Sequence, residues 1–220
     1  MNLLKVEFHC HTIVSKDSLT TPQRLLAGCR KKNIDRVIIT DHNTIRGALQ
    51  AKALDPTRVI VGEEIMTTEG ELLAAFVQEE IPAGLTPGET IARLRAQGAF
   101  ISVSHPYDIF RGGHWRPAAL LEITPLVDAI ETFNARCWLP RFNRRAAAYA
   151  RQYHLLGTVG SDAHTASELG AATLRLPSFQ DAPSLKAALG QSQPQTRLSG
   201  PWVHLFSKYA TISKKLTKRE

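Results

Sequence analysis

The chain of 220 residues is long enough for one domain with a full hydrophobic core, and its composition (43% hydrophobic, 21% charged) is that of a globular protein. No apolar run approaches the roughly 18 residues that a membrane span requires. The N-terminus lacks a secretory signal, and three cysteines without framework spacing predict no disulfide scaffold. We therefore expect a cytoplasmic protein without a membrane partner, whose net charge of +7 is compatible with an anionic ligand.

Predicted strands and helices alternate along the chain. Apolar, β-branched runs predict strands at residues 4–8, 36–40, 58–62, 72–77, 100–104, 129–133 and 156–160, with a weaker one at 172–176. Thr21-Pro22 and Thr86-Pro87 each combine a capping threonine with a first-turn proline, and Gly98 ends the second of these helices. Further helices are expected at 141–153 and 183–188. This alternation indicates parallel βαβ units, in a barrel or an open sheet.

The domain organisation follows from the absence of repeats and linkers. We assign residues 1–200 to one barrel domain and residues 201–220 to a C-terminal basic tail. The last stretch carries five basic residues against a single acid, namely Lys208, Lys214, Lys215, Lys218 and Arg219. A solvated, partly frayed tail is the favoured interpretation, and a nucleic-acid contact is the alternative.

The first predicted strand ends in two histidines separated by one residue. Because side chains alternate between the faces of a strand, His9 and His11 project to one side and Cys10 to the other. Two imidazoles about 7 Å apart on one face can bind the same ion. The pair alone is a weak indication, because two histidines at a sheet edge need have no function.

Residues that can bind metals recur at the ends of six predicted strands. They are His9 and His11, Asp41 and His42, Glu63 and Glu64, His105, Asn134 with Glu131 inside the same strand, and Asp162 and His164. In α/β folds the loops after the strands build the active site, so we expect these side chains to lie together. The sequence therefore predicts a metal site at the C-terminal edge of the sheet.

The types of ligand restrict the metal. A mixture of imidazoles and carboxylates suits Zn²⁺, Mn²⁺ or Fe²⁺ better than Mg²⁺ or Ca²⁺. The candidates outnumber the four ligands of one tetrahedral ion, so we expect more than one ion, with a bridging carboxylate. His154 and His204 lack companions at strand ends and are interpreted as structural or surface residues. His114 lies in a glycine-rich loop and belongs either to a lid over the site or to an ordinary loop.

Taken together, these segments resemble the PHP (polymerase and histidinol phosphatase) family. The motifs are FHCHT, TDHNT, GEE, SHP, ETFN and GSDAH, in family order over about residues 7–165. The run SDAHTASELGAA also resembles stand-alone members of the family. The resemblance implies a distorted (β/α)7, TIM-like barrel and phosphoester hydrolysis by two or three transition-metal ions.

The resemblance also implies how the ligands are divided. One ion would be held by His9, His11, Glu64 and Asp162, and a second by Asp17, His42 and His164. Glu64 and His105 would begin a third site. Fuller family members place another histidine after the Glu-x-x-Asn segment, where this chain has only Asn134 or Cys137. The resemblance therefore leaves open whether a third ion binds.

The predicted activity is hydrolysis of a small phosphomonoester, a nucleotide or an oligonucleotide end by a metal-activated hydroxide. Asp41, His105 and Asp162 are the candidates for proton transfer, and the sequence does not choose among them. Arg136 and Arg111 are the candidates for binding the phosphate. The alternatives are a non-catalytic, metal-stabilised interaction module and an amidohydrolase-type metal hydrolase, which also begins with His-x-His on a barrel strand.

Overall fold

Strands and helices alternate in the computed structural model, which describes residues 3–217. The strands are β1 (Leu4–Glu7), β2 (Arg36–Ile39), β3 (Val59–Met66), β4 (Glu71–Ala75), β5 (Phe100–Val103), β6 (Ala129–Asn134), β7 (Leu156–Gly160), β8 (Ala172–Leu176) and β9 (Gln193–Thr196). The helices are α1 (Pro22–Lys31), α2 (Arg46–Leu54), α3 (Pro87–Ala96), α4 (Pro117–Ile123), α5 (Pro140–Gln152), α6 (Ala182–Leu189) and α7 (Trp202–Thr217). A short 3-10 turn, Thr124–Leu126, follows α4.

All nine of these strands form one sheet, in the order β7-β6-β5-β4-β3-β2-β1-β8-β9. Pairing is parallel between β1 and β2, β2 and β3, β5 and β6, and β6 and β7. Strand β4 runs antiparallel to both of its neighbours, as β8 does to β1 and β9. A parallel bridge between Cys10 and Ala163 then joins the end of β7 to the end of β1. The predicted distorted (β/α)7, TIM-like barrel is therefore confirmed, with β4 as its reversed strand.

The predicted helix starts have the expected caps. Thr21 accepts a hydrogen bond from the amide of Arg24, and Pro22 occupies the first turn of α1. At α3 a full capping box forms, because Thr86 caps the amide of Glu89 while the Glu89 carboxylate accepts from the amide of Thr86. These local signals place both helices within a residue or two of their predicted bounds.

Two apolar layers cover the faces of the sheet. Residues such as Val61 and Ile65 of β3 pack between the sheet and the outer helices. Ile60, with an even number, belongs instead to the layer inside the barrel, which also holds Phe179 and Leu185. The alternation on β3 thus directs Glu64 towards the interior, on the same side as Ile60. Among residues 3–217, no helix is long and apolar enough to span a bilayer.

Three helices and one strand have no counterpart in the prediction, namely α2, α4, α7 and β9. Strand β9 is entirely exposed, polar and contains Pro194, so it lacks the apolar alternation that marks a strand. The segment expected to be a frayed tail forms α7 as far as Thr217, with Ala210 buried beneath it. The predicted tail residues Lys218 and Arg219 lie outside the described residues.

Candidate metal centre

The side chains at the strand ends converge on one place at the C-terminal edge of the barrel. The Nε2 atom of His9 lies 3.2 Å from Oε2 of Glu64, and Nε2 of His11 lies 3.4 Å from the same oxygen. Asp162 adds Oδ1 at 3.3 Å from Nε2 of His11. These four residues are the set that the resemblance assigns to one ion, and each is almost completely buried.

A second group of side chains adjoins the first. Oδ2 of Asp17 lies 3.3 Å from Nε2 of His42 and 3.2 Å from Nε2 of His164. One ring nitrogen from each of His11, His42 and His164 lies within 4.8 Å of the other two. The loop after β1, which carries Asp17, therefore brings a carboxylate to the imidazoles that follow β2 and β7.

A third group contains Glu71, which the sequence reasoning missed. Its Oε2 lies 3.3 Å from Nε2 of His105, and its Oε1 lies 3.7 Å from Nδ1 of His42. Glu64 completes the group, with Oε1 at 3.1 Å from Nε2 of His105. The sequence search took residues that follow predicted strands, together with Glu131 inside one of them, but no residue at the start of a strand. Because β4 is antiparallel to its neighbours, its first residue, Glu71, lies at the edge where the parallel strands end. Recognising β4 as a reversed strand would have added Glu71 to the predicted site.

The glycine-rich loop packs directly on Glu71. The amide of Glu71 donates to the carbonyl of Gly113, and a Cβ on Gly113 would stand 1.9 Å from Oε2 of Glu71. Arg111, Gly112 and Gly113 line the cavity over the cluster, so the loop borders the site as the lid interpretation expected. His114 does not line the cavity, and its Nδ1 lies 2.6 Å from the carbonyl oxygen of Arg111.

Several ligand atoms in the cluster have no hydrogen-bond partner within residues 3–217. They include Nε2 of His9, Nε2 of His11 and Oε2 of Glu64, all buried. These atoms approach one another to 3.2–3.4 Å without the alignment of a hydrogen bond, so their lone pairs converge on shared space. Buried polar atoms are seldom left unsatisfied without a functional reason. The arrangement fits a cation coordinated from several sides.

The charges in the cluster support the same interpretation. Burial opposes every charge here, yet His9 and His42 lower the pKa of Glu64 well below its usual value, and Arg111 and His9 do the same for Asp162. Against the effect of burial, Glu64 and Asp17 raise the pKa of His42 to about 10. The raised pKa values of His9 and His42 thus favour protons that balance the carboxylates, whereas burial and neighbouring cations lower those of His11 and His164. Bound cations would displace such protons.

Glu131 and Asn134 contact the predicted metal ligands and orient them. Oε1 of Glu131 lies 3.0 Å from Nδ1 of His9, which turns Nε2 of that ring into the cluster. Oε2 of Glu131 accepts hydrogen bonds from the amide of His105 and from Nδ2 of Asn134. Asn134 also donates from Nδ2 to Oδ2 of Asp162. Its side-chain amide nitrogen thus holds two carboxylates in place.

Cys137, the other residue considered for that position, is a buried free thiol. Burial raises its pKa, although the nearby Arg111 opposes the effect. A cysteine binds metals as the thiolate, so this environment disfavours Cys137 as a ligand.

Asp41 lies beside the cluster but points to the loop after β1. Its carboxylate accepts hydrogen bonds from the amide and hydroxyl of Thr12, both at 2.7 Å, and from the hydroxyl of Ser15 at 2.5 Å. Ser15 Oγ lies in turn 3.4 Å from Nδ1 of His11. Gly47 allows this arrangement, because a Cβ there would stand 2.1 Å from Oδ2 of Asp41. The geometry differs from the predicted proton-transfer role, because three donors already occupy the carboxylate.

Arg136 lines the cavity over the cluster, and its predicted binding of a phosphate stays a prediction, because its guanidinium already has protein partners. Its guanidinium is buried, with Nη2 donating to the carbonyl of Val203 at 2.8 Å and to Oγ of Ser207 at 2.7 Å. Nη1 donates to Nδ1 of His164, and Nε faces a carboxylate oxygen of Glu168 at 3.5 Å. Arg136 therefore joins α7 to a predicted metal ligand, and a phosphate would have to displace protein partners.

Arg111 lies at the cavity over the cluster, and its binding of a phosphate stays a prediction. Its Nη1 donates to Oδ2 of Asp162 and its Nε lies 3.5 Å from Asp108, while the side chain remains one-fifth exposed at the cavity. Lys16, which the sequence reasoning did not consider, is exposed and also lines the cavity. This cavity of about 300 Å³ therefore has three cationic side chains at its wall, those of Lys16, Arg111 and Arg136.

The remaining histidines divide between rim and loop. His204, interpreted from sequence as structural or surface, lies on α7 at the cavity wall and stacks on Trp138 with ring centroids 4.0 Å apart. Only the packing of α7 brings it there. His154 ends α5 with a positive φ of 55° and does not line the cavity. Asp162 has a φ of 51°, an unusual conformation for a non-glycine residue that is typical of functional sites.

Comparisons with known proteins identify the family. Residues 140–191 match the family model described as PHP-associated. An uncharacterized protein of Methanocaldococcus jannaschii is 39% identical over 175 residues, covering 78% of this chain and 70% of its own. With the six motifs and the barrel, these matches show that the chain belongs to the PHP family.

Solved structures share the fold at low sequence identity. The crystal structure of PsfC from Pseudomonas syringae superposes with a TM-score of 0.70 at 20% identity, covering 97% of this chain and 99% of that one. A proposed metal-dependent phosphoesterase from Bifidobacterium adolescentis gives a TM-score of 0.63 at 18% identity, covering 84% of this chain and 96% of its own. These similarities concern the architecture of the barrel.

Proposed function

We propose that this protein is a metal-dependent phosphoesterase that hydrolyses a small phosphomonoester, a nucleotide or an oligonucleotide end. The observation that supports the proposal best is the convergence of buried imidazole and carboxylate atoms that lack hydrogen-bond partners in the described chain. Leaving such atoms unsatisfied costs about 1–3 kcal/mol each, a cost that a bound cation would offset. A non-catalytic, metal-stabilised module would use the same atoms, so release of phosphate is the result that separates it from the phosphoesterase.

The geometric groups suggest two or three divalent transition-metal ions, drawn from Mn²⁺, Zn²⁺ and Fe²⁺. His9, His11, Glu64 and Asp162 would hold one ion. The second would be held by Asp17, His42 and His164, and a third by Glu64, Glu71 and His105. When bound, such ions supply a hydroxide nucleophile at neutral pH and neutralise the charge on phosphoryl oxygens.

The other residues bind and position. Arg111 and Lys16 are the cavity cations with exposed surface that a phosphate group would meet first, while Arg136 lies deeper among protein partners. A guanidinium matches two phosphate oxygens at once. We assign Asp41 to holding the loop of Thr12 and Ser15, and so to orienting His11. The cavity of about 300 Å³ beside α7 suits a small or terminal phosphate ester better than internal segments of a long duplex.

Metal analysis and a phosphatase assay test the proposal together. Protein purified without chelator should contain at least two equivalents of Mn, Fe or Zn by elemental analysis. With Mn²⁺ it should release inorganic phosphate from phosphomonoesters, and dialysis against EDTA should abolish this activity until metal is restored. His154→Ala serves as the matched control, because that histidine lies outside the cavity. A single ion at full occupancy, or release that persists without metal, would contradict the proposal.

A further inference from the structure

A second cavity, of about 310 Å³, lies on the other side of the cluster from the glycine-rich loop. It is bordered by the loop around Leu19, by the segment after β7 and by α7. Asp17 and His164 line both this cavity and the one over the cluster. A molecule in the second cavity would therefore touch two of the predicted metal ligands at one end.

The wall that α7 contributes is aromatic. Phe206 and Tyr209 lie three residues apart on the same face of the helix, with exposed fractions of 58% and 65%. Leu19, 36% exposed, stands in the facing loop. Thr165 and Ser167 also line the cavity, and their hydroxyl oxygens lie 2.8 Å from each other. Apolar walls with a few hydroxyl groups recognise a flat ring by stacking on its faces and bonding to its edge.

The helix that presents these rings is fixed in place from two directions. On one side, Arg136 donates to the carbonyl of Val203 and to Ser207. On the other, Nζ of Lys214 donates to the carbonyl oxygens of Ser15 and Ile13, in the loop after β1. These hydrogen bonds thus fix the position of the aromatic wall relative to both the cluster and the loop after β1.

Charge at the outer rim adds a third contact. Arg24 of α1 is exposed and lines the second cavity, away from the carboxylates of the cluster. It offers a donor to a carbonyl or anionic group at the far edge of a ring. A ligand would therefore place its phosphate at the cluster, its flat ring between Leu19 and α7, and a polar group near Arg24.

We propose that this second cavity is a subsite for a heteroaromatic ring, such as a nucleobase, carried by the leaving group of a phosphomonoester. The proposal rests on the proposed function and deepens it, because it names what is attached to the phosphate. It makes Phe206 and Tyr209 residues that determine specificity, without a part in the chemical step.

The test compares two esters that differ only by the ring. Nucleoside 5′-monophosphates and ribose 5-phosphate are assayed with Mn²⁺ on the wild type, Phe206→Ala, Tyr209→Ala and Leu205→Ala. Leu205 is the matched control, because it is 57% exposed on the same helix but does not line the cavity. The first two variants should lower kcat/KM for the nucleotides about tenfold or more while changing that for ribose 5-phosphate less than about twofold. Leu205→Ala should leave both values unchanged.

A binding measurement separates the two proposals. Calorimetric titration with adenosine, which has the ring but no phosphate, should show about tenfold weaker binding to Phe206→Ala than to the wild type and Leu205→Ala. Adenosine binding without hydrolysis of any ester would overturn the proposed function and leave the subsite standing. Equal losses on both esters would overturn the subsite. An equal effect of Leu205→Ala would also overturn the subsite. That result would indicate that the apolar face of α7 binds another chain or a lipid surface instead.

Discussion

Glu63 and Glu64, which are neighbours on β3, show how the two faces of one sheet change the pKa of the same type of side chain. Glu64 faces the barrel interior, where imidazoles lower the pKa of its carboxyl well below the usual value. Glu63 faces the helices, where burial raises its pKa to about 8 and the amide of Ile81 only partly offsets that effect. Both are fully buried. Burial thus raises the pKa of a carboxyl group, and only the surrounding histidines keep Glu64 charged and so able to bind a metal.

The comparison extends to the residues around the two glutamates. On the helix-facing side, Val61 and Ile65 belong to an apolar layer that stabilises the fold. On the interior side, the apolar layer stops below the cluster and polar residues take over at the strand ends. Along β3, the helix-facing side thus serves the packing of the fold, while the interior side carries the residues of the predicted metal centre. The following predictions, from the largest effect to the smallest, test that separation.

The largest effect is expected from removing a cluster ligand. Asp162→Ala and His42→Ala each take a ligand from a different predicted ion, so phosphate release should fall by about a thousandfold or more. Bound metal should fall as well, while circular dichroism should retain the spectrum of the fold. Glu63→Gln, on the other face of β3, should retain activity. Near wild-type turnover by either alanine variant under limiting metal would remove that residue from the site.

Arg136→Ala should be the most destabilising change outside the ligands. It removes the two hydrogen bonds that hold α7 and the cation that faces Glu168, and leaving buried polar groups unsatisfied costs about 1–3 kcal/mol each. Urea unfolding measures the loss, and metal content should fall with it because His164 loses its neighbour. A higher KM with unchanged stability and metal content would instead support Arg136 as a phosphate-binding residue.

Glu71→Gln tests the residue that β4 contributes. The amide keeps the shape of the side chain but removes the charge facing His105 and His42. Metal affinity and kcat should each fall about tenfold to a hundredfold. Glu122→Gln, on the exposed surface of α4, is the control. An effect no larger than that of the control would place Glu71 outside the metal centre.

The smallest effect concerns the stability of the metal-free protein as pH changes. Since the folded pKa of Glu63, about 8, lies above its ordinary value of 4.5, the folded state holds the proton more tightly. The stability from this proton is fully present below pH 4.5 and is lost as pH rises through 8. Glu63→Gln remains neutral, so its Tm should decline less between about pH 6 and pH 9, by roughly 2–4 °C for each kcal/mol retained. Identical Tm profiles would show that Glu63 does not bind the proton more tightly in the fold.

The sequence by itself determined the features that depend on short spacing. The Thr-Pro starts of α1 and α3, the strands that alternate with them, and the sidedness of His9 and His11 all follow from local stereochemistry. Because parallel strands end at one edge, the histidines and acids at those ends were also predicted as neighbours. The family resemblance rested on these same segments.

Only the tertiary structure decided which other groups reach the cluster. The reversal of β4 brings in Glu71, and the docking of α7 brings in His204 and occupies the guanidinium of Arg136. Asp41, which follows a strand as the ligands do, is held instead by Thr12 and Ser15. These outcomes depend on strand direction, helix docking and competition for hydrogen-bond donors. Such long-range interactions are not encoded in the spacing of any single segment.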